Sequence, residues 1–311
     1  MNQCKIFAGN SNPQLTKKIC RYLKIPSGKI KVRRFPDGEV SVKIGENVRG
    51  QDVFILQSIS SPVNESLMEF LVMIDACRRA SARRITAVLP YYGYARQDWK
   101  DQPRVPITAK LVANLITAAG ANRVLTMDLH SPQIQGFFDI PVDHLFAAPV
   151  LIKYFQQLGL SNLVVVAPDV GGIKAARAFA KRLCASLAVV DKRRDSPDSV
   201  EVMNIIGEIE GRNVVIVDDL IATGRTLCEA AAVLKENGAK NIYASITHGV
   251  LSGKSIENIA QSVLRKLIIT DTLPLTKEKQ LKRIEVLSVA SLLGEAIRCI
   301  HLEKSVSSLF I

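Results

Sequence analysis

Aromatic residues are scarce in this chain, at 5% of 311 positions. That removes the stacking platforms on which single-stranded nucleic acids are held. The formal net charge of +12 would otherwise invite a nucleic-acid reading. Its lysines and arginines, however, are scattered in twos and threes along the whole sequence, with no basic arm and no aromatic-interleaved stripe. The charge fits a site for small polyanions and a solvated surface, and no nucleic-acid partner is expected. Long apolar runs are also missing: none approaches the roughly 18 residues that span a bilayer, so no membrane association is expected. Met1 to Lys5 run straight into a strand-like stretch without a signal-peptide pattern; a mature start near Met1 and a cytoplasmic location are expected. Cys4, Cys20, Cys77, Cys184, Cys228 and Cys299 include no C-x-x-C pair. That argues against a zinc knuckle or a thioredoxin-type centre and for reduced thiols, mostly core filler. No GxxxxGKS or GxxxxGKT segment is present, so a Walker-type phosphate loop is excluded.

What is present is a globular composition, 48% hydrophobic and 23% charged, in a length suited to one large domain or two of ordinary size. Strand-length apolar runs alternate with helix-length amphipathic segments. Val53 to Leu56 precedes a helix expected over Glu65 to Arg79; Ile85 to Leu89 precedes one over Ile107 to Ala119, and Val124 to Leu129 is a strand. In the second half, Leu163 to Ala167 precedes a helix over Ile173 to Leu183, and Val214 to Val217 precedes one over Thr226 to Asn237. Continuously apolar strands between helices predict an α/β fold with mainly parallel sheets flanked by helices.

The alternation is a duplication. Gly50-Gln51-Asp52-Val53-Phe54-Ile55-Leu56 matches Gly211-Arg212-Asn213-Val214-Val215-Ile216-Val217. Upstream, Ile44-Gly45-Glu46 echoes Ile206-Gly207-Glu208, and Arg33 to Asp37 echoes Arg193 to Asp198, in the same order and at nearly the same spacing. Two homologous domains are expected, 1–145 and 146–311, joined near Pro141 to Pro149, with a last helix over about Val289 to His301 that folds back onto the first. The copies differ in chemistry: Val217 is followed by Asp218-Asp219, whereas Leu56 is followed by Gln57-Ser58. The acidic copy is expected to hold a sugar site, the other to serve nucleotide binding, regulation or assembly.

The strongest local signal runs from Val214 to Thr226. A buried strand ends in two carboxylates, and a small-residue loop, Ala222 to Thr226, then opens the helix. Ligands of open parallel sheets lie beyond the carboxyl ends of the strands. Free amides at a helix N-terminus suit a phosphate, Thr223 and Thr226 add hydroxyl donors, and paired carboxylates suit the hydroxyls of a ribose. The bland alternative is an N-capped helix after a strand, with two merely polar aspartates.

This Asp-Asp and Thr-Gly-x-Thr arrangement resembles the phosphoribosyl-binding motif of type I phosphoribosyltransferase folds. Arg34 to Glu39, Tyr94 to Asp98, Asp128-Leu129-His130 with Gln135 to Phe138, and Val190 to Arg194 narrow the resemblance to the ribose-phosphate diphosphokinase, or PRPP synthetase, family, from Phe7 to Ser307. The resemblance implies two type I phosphoribosyltransferase-like domains and transfer of a diphosphate from Mg-ATP to the C1 hydroxyl of ribose 5-phosphate. It implies Lys192 and Arg194 as catalytic cations in a polar segment that reads as a mobile loop. Phe35, Asp37, Gly38 and Glu39 become an adenine-contacting hairpin that reaches a neighbouring subunit, and Arg96 and Gln97 further ATP contacts. His130 and Asp169 become the Mg2+ positions, although a histidine is not what magnesium chemistry alone predicts. Arg194, Asp218, Asp219 and Ala222 to Thr226 become the ribose 5-phosphate site. A homohexamer with allosteric control by phosphate and ADP is implied as well.

Three positions depart from the family pattern. Ala222 stands where many members carry Asp, Arg225 where Gly is common, and Trp99 where a basic residue is usual. Gly lets a backbone approach a phosphate closely; Arg225 either adds a cation for the 5-phosphate or obstructs it. Two other readings use the same fold. One is a phosphoribosyltransferase, which needs only one such domain. The other is a non-catalytic regulatory subunit, against which Lys192-Arg193-Arg194 stands without an insertion.

Overall fold

Two mainly parallel sheets, one in each of two units, organise the computed structural model, which describes residues 1, 3–193 and 202–309. The first unit comprises Met1–Phe146, Thr272–Pro274 and Ser288–Ile311; the second comprises Ala147–Asp271 and Leu275–Leu287.

In the first unit, β1 (Cys4–Ala8) leads into α1 (Pro13–Leu23). Asn12 caps α1 by accepting a hydrogen bond from Leu15 N at 3.2 Å, and Pro13 occupies the first helical position, where no amide is needed. A separate antiparallel hairpin follows, β2 (Ile30–Arg34) and β3 (Val40–Ile44). Then come β4 (Asp52–Leu56), α2 (Val63–Arg79), β5 (Arg84–Leu89), α3 (Thr108–Ala119), β6 (Arg123–Met127) and β7 (Val142–Leu145). The sheet order is β1-β4-β5-β6-β7, every pair parallel. All five residues of β4 are buried, as a parallel strand covered on both faces requires. Its core gathers Phe7, Val53, Ile55, Phe70, Met73 and Ile116.

The second unit contains α4 (Ala148–Leu158), β8 (Leu163–Ala167), α5 (Ile173–Leu183), β9 (Ser186–Arg193), β10 (Val202–Ile206) and β11 (Asn213–Ile221). It continues through α6 (Arg225–Glu236), β12 (Asn241–Gly249), α7 (Ser255–Gln261), β13 (Lys266–Thr270) and β14 (Ile284–Leu287). The sheet order is β10-β9-β8-β11-β12-β13-β14, parallel except for the β9–β10 pair. Val164, Val166, Val214, Ile216, Leu234 and Leu267 are among its core residues. The last helix, α8 (Ala290–His301), belongs to the first unit and packs on α1; Gly294 leaves room there for the ring of Tyr22.

The α/β alternation read from the apolar runs is the observed architecture, and β8 and α5 fall on the expected residues. β6 stops at Met127 rather than Leu129, because Asp128 adopts φ 37° and leaves the extended region. β11 is longer than expected, which changes the description of the acidic pair below.

Candidate functional site

In the second unit, β8 is followed in sequence by β9 on one side and β11 lies on its other side. The order reverses between β8 and β11, and such a switch point leaves a crevice at the carboxyl ends of the two strands. The register shows it opening: β8 pairs with β11 only as far as Val166 and Ile216, while β11 continues beside β12 to Ile221 and Gly249. Asp169 follows the end of β8, and Asp218 and Asp219 lie on the part of β11 that β8 no longer accompanies.

The two aspartates are therefore inside the strand rather than at its end, a correction to the sequence reading. Leu220 and Ile221 keep their pairing with His248 and Gly249, so the chain leaves the sheet only after Ile221. The loop shrinks to Ala222-Thr223-Gly224, and α6 starts at Arg225, one residue earlier than expected. Gly224 caps the helix at φ 73°, a left-handed conformation that a side chain would strain. Thr223 and Thr226 are exposed, and Ala222 is half-buried. Arg225 is exposed, and its Nε donates to Glu229 Oε1 at 2.6 Å, one helical turn along α6.

Electrostatics single out Asp218. Burial first, then the neighbouring carboxylate of Asp219, with Asp169 contributing, push its carboxyl up to about 8. Asp219 N donates to Asp218 Oδ1 at 2.9 Å, which partly offsets the shift. The upward shift favours the neutral form of Asp218, which offers an O–H donor as well as an acceptor. Asp169 is exposed, and its Oδ1 accepts from Gly172 N at 2.9 Å at the entrance to α5. Among the described residues, no three His, Cys, Asp or Glu side chains converge on one point as a metal cage.

Lys192 lies in β9, opposite Met203 of β10, and the pairing runs on to Arg193 and Val202. The strand thus reaches through Lys192, where a mobile loop was expected, because β10 supplies its backbone partner. Arg194 lies outside the described residues.

In the first unit, Phe35, Asp37, Gly38 and Glu39 form the exposed turn of the β2–β3 hairpin. Phe35 N donates to Glu39 O and Gly38 N to Phe35 O, both at 2.9 Å. Gly38 takes φ 96°, and Asp37 Oδ1 accepts from Glu39 N at 3.2 Å. Two adjacent residues at the start of α2, absent from the sequence-derived set, hold the neighbourhood: Glu65 pairs with Arg34 of the hairpin, and Asn64 accepts from the Tyr94 hydroxyl. Arg96 and Gln97 are exposed just beyond Tyr94. Gln97 Oε1 accepts from Thr108 Oγ1 at 2.8 Å, tying that segment to α3. Trp99 is exposed. His130 is exposed after β6, and the amide of Leu129 beside it donates to Nε2 of buried His144 at 2.9 Å.

The counterpart of the acidic pair, Gln57-Ser58, is turned inward. Gln57 is buried, and its side chain occupies the space in which a Cβ on Gly9 would sit. Its Oε1 accepts from Ser11 Oγ at 2.7 Å, and its Nε2 donates to Glu69 Oε2 at 3.1 Å. The sequence position that carries carboxylates in one unit is filled by a satisfied amide in the other.

Comparison with known proteins identifies the family. Residues 4–120 match the model of the N-terminal domain of ribose phosphate pyrophosphokinase, and residues 195–311 that of the phosphoribosyl synthetase-associated domain. The ribose-phosphate pyrophosphokinase of Rhizobium meliloti is 59% identical over 308 residues, 98% of this chain and 99% of its own length. That of Caldanaerobacter subterraneus subsp. tengcongensis is 56% identical over 310 residues, 99% of this chain and 98% of its own. The crystal structure of phosphoribosylpyrophosphate synthetase from Mycobacterium smegmatis superimposes with a TM-score of 0.92 at 41% identity, covering 96% of this chain and 99% of that one.

Proposed function

This chain belongs to the ribose-phosphate pyrophosphokinase family, and from that premise we propose how its residues divide the work of the reaction. The enzyme joins ATP and ribose 5-phosphate: the C1 hydroxyl attacks the β-phosphorus, the bond from the β-phosphorus to the α,β-bridging oxygen breaks, and AMP leaves. The products are AMP and 5-phosphoribosyl 1-diphosphate, and the hydroxyl proton passes to solvent. No observation favours a phosphoribosyltransferase or a non-catalytic subunit.

The observation that carries the assignment of roles is the switch-point crevice between β8 and β11, flanked by Asp169, Asp218 and Asp219 and adjoining the short loop into α6. The loop Ala222 to Thr226 receives the 5-phosphate through backbone amides and the hydroxyls of Thr223 and Thr226. Asp218 and Asp219 hold the ribose hydroxyls. A neutral Asp218 donates to one hydroxyl oxygen, while Asp219 accepts from its neighbour. Lys192 and Arg194 are assigned to stabilise the charge of the transition state, because phosphoryl-type transfer depends mainly on positioning and electrostatics. Phe35 stacks on adenine; Asp37, Gly38 and Glu39 engage its edge, and Arg96 and Gln97 engage the remainder of ATP.

Mg2+ is the cofactor of this scheme, with Asp169 and His130 at its positions. Magnesium keeps several waters and binds through one or two carboxylates plus substrate phosphates, so a complete protein cage is not required. The exposed Asp169 carboxylate fits that pattern, whereas the imidazole of His130 is better suited to hydrogen bonding a phosphate oxygen. When bound, the ion neutralises triphosphate charge and helps align the attack.

A homohexamer in which the Phe35 hairpin serves a neighbouring subunit, control by phosphate and ADP, and a cytoplasmic location complete the proposal. Among the described residues no helix is long and apolar enough to cross a membrane. The test is phosphorus NMR of the purified protein with ATP, ribose 5-phosphate, Mg2+ and inorganic phosphate. Equal appearance of AMP and 5-phosphoribosyl 1-diphosphate is expected. A folded sample that binds both ligands and forms neither product would overturn the catalytic reading.

A further inference from the structure

The loop into α6 is held from behind at three successive carbonyls. Ile221 O accepts from Leu251 N at 3.0 Å, Ala222 O accepts from Ser252 N at 2.9 Å, and Thr223 O accepts from the side-chain Nδ2 of Asn258 at 2.9 Å. All three donors come from the stretch between the end of β12 and the middle of α7. In a trans peptide the carbonyl and the following amide point in opposite directions across one plane. Anchoring the carbonyls of residues 221, 222 and 223 on one side therefore turns the amides of Ala222, Thr223 and Gly224 to the other. Successive amides on one side form a concavity suited to an anion, continuous here with the N-terminus of a 12-residue helix.

Two of the three anchors are backbone amides, which any residue except proline supplies. The third depends on one side chain. Asn258 fixes the Thr223–Gly224 peptide, the last before α6 and the one whose Gly224 takes φ 73°. Among the described residues no other donor meets Thr223 O, so Asn258 alone fixes that end of the peptide.

We propose that Asn258 is a positioning residue for the 5-phosphate of ribose 5-phosphate. It touches no substrate; it orients the Gly224 amide that does. This rests on the reading of Ala222 to Thr226 as the phosphate loop.

The test compares Asn258→Ala, Asn258→Gln and Thr226→Ala in the full-length protein by steady-state kinetics and thermal unfolding. Losing one neutral hydrogen bond that matters for binding corresponds to about a fivefold effect. Asn258→Ala is expected to raise KM for ribose 5-phosphate about fivefold, with kcat, KM for ATP and the unfolding temperature close to those of the parent. Asn258→Gln, which keeps an amide donor, is expected to recover most of the loss. An unchanged KM for ribose 5-phosphate in Asn258→Ala, alongside a raised one in Thr226→Ala, overturns the positioning role and leaves the phosphate loop standing. Equal increases in both KM values with a lower unfolding temperature reduce Asn258 to a stabilising contact and overturn the proposal as well. No change in either variant overturns the loop assignment itself.

Discussion

Asp52 and His301 lie 249 positions apart in sequence, and the imidazole Nδ1 of His301 sits 2.8 Å from Asp52 Oδ2. Asp52 opens β4 and is fully buried; His301 ends α8. Arg84, at the start of β5, completes the group with two bonds to the same carboxylate at 2.9 and 2.6 Å and a third at 2.9 Å to Ile300 O. Helix α8 is thus fastened to the N-terminal ends of β4 and β5 in the first sheet through one buried carboxylate.

Removing one partner of a buried ion pair strands the other charge at a cost of about 3–5 kcal/mol. Arg84→Met is therefore expected to lower the thermal midpoint by several degrees, and His301→Phe to speed amide exchange in α8 more than in β11. Unchanged unfolding temperature and exchange would show that the cluster contributes nothing to holding α8.

Stability should also respond to pH through Asp218. Its carboxyl titrates near 8 in the folded protein and at 3.8 as an ordinary aspartate. The folded state keeps a proton that the unfolded chain releases between those values. This contribution to stability therefore falls as pH rises from about 4 to about 8, and then levels off. Asp218→Asn removes the ionisation: the variant should gain thermal midpoint over the parent at about pH 8 and above, and gain nothing at about pH 4. Scanning fluorimetry across that range checks the sign; parallel curves for the two proteins would contradict a raised Asp218.

Lys192→Ala is expected to reduce kcat by several powers of ten while leaving ribose 5-phosphate binding, read by calorimetry, largely intact, because the lost interaction is made mainly in the transition state. Near-normal turnover would remove Lys192 from the catalytic set.

Phe35→Ala should raise KM for ATP about tenfold, the effect of losing one base–aromatic stack, and leave KM for ribose 5-phosphate unchanged. An effect on ribose 5-phosphate alone would place Phe35 elsewhere than against adenine.

Arg225 offers a sharper test of the departures from the family pattern. Its guanidinium pairs with Glu229 along α6, and it is exposed; such pairs contribute little. Arg225→Gly should change KM for ribose 5-phosphate by less than about twofold. A large loss would mean that the cation leaves Glu229 for the phosphate when substrate binds.

Much of this protein was legible in the order of its residues. Val53 to Leu56 and Leu163 to Ala167 are apolar without interruption, as a strand covered on both faces requires. The echo of Gly50 to Leu56 in Gly211 to Val217 pointed to the duplication, and Asp218 to Thr226 pointed to the proposed sugar-phosphate site, because strand, carboxylates, loop and helix start are contiguous. Local periodicity and local loop chemistry determine such features, and both are short-range. The run of β11 past its aspartates, the crevice at β8, the inward turn of Gln57, the anchors Asn64, Glu65 and Asn258, and the Asp52–His301 contact carry no comparable signature. Each depends on which strand lies beside which, and on where residues separated by tens or hundreds of positions are brought together. Hydrogen bonds of that kind form only after the sheets have closed, so tertiary structure alone decided them.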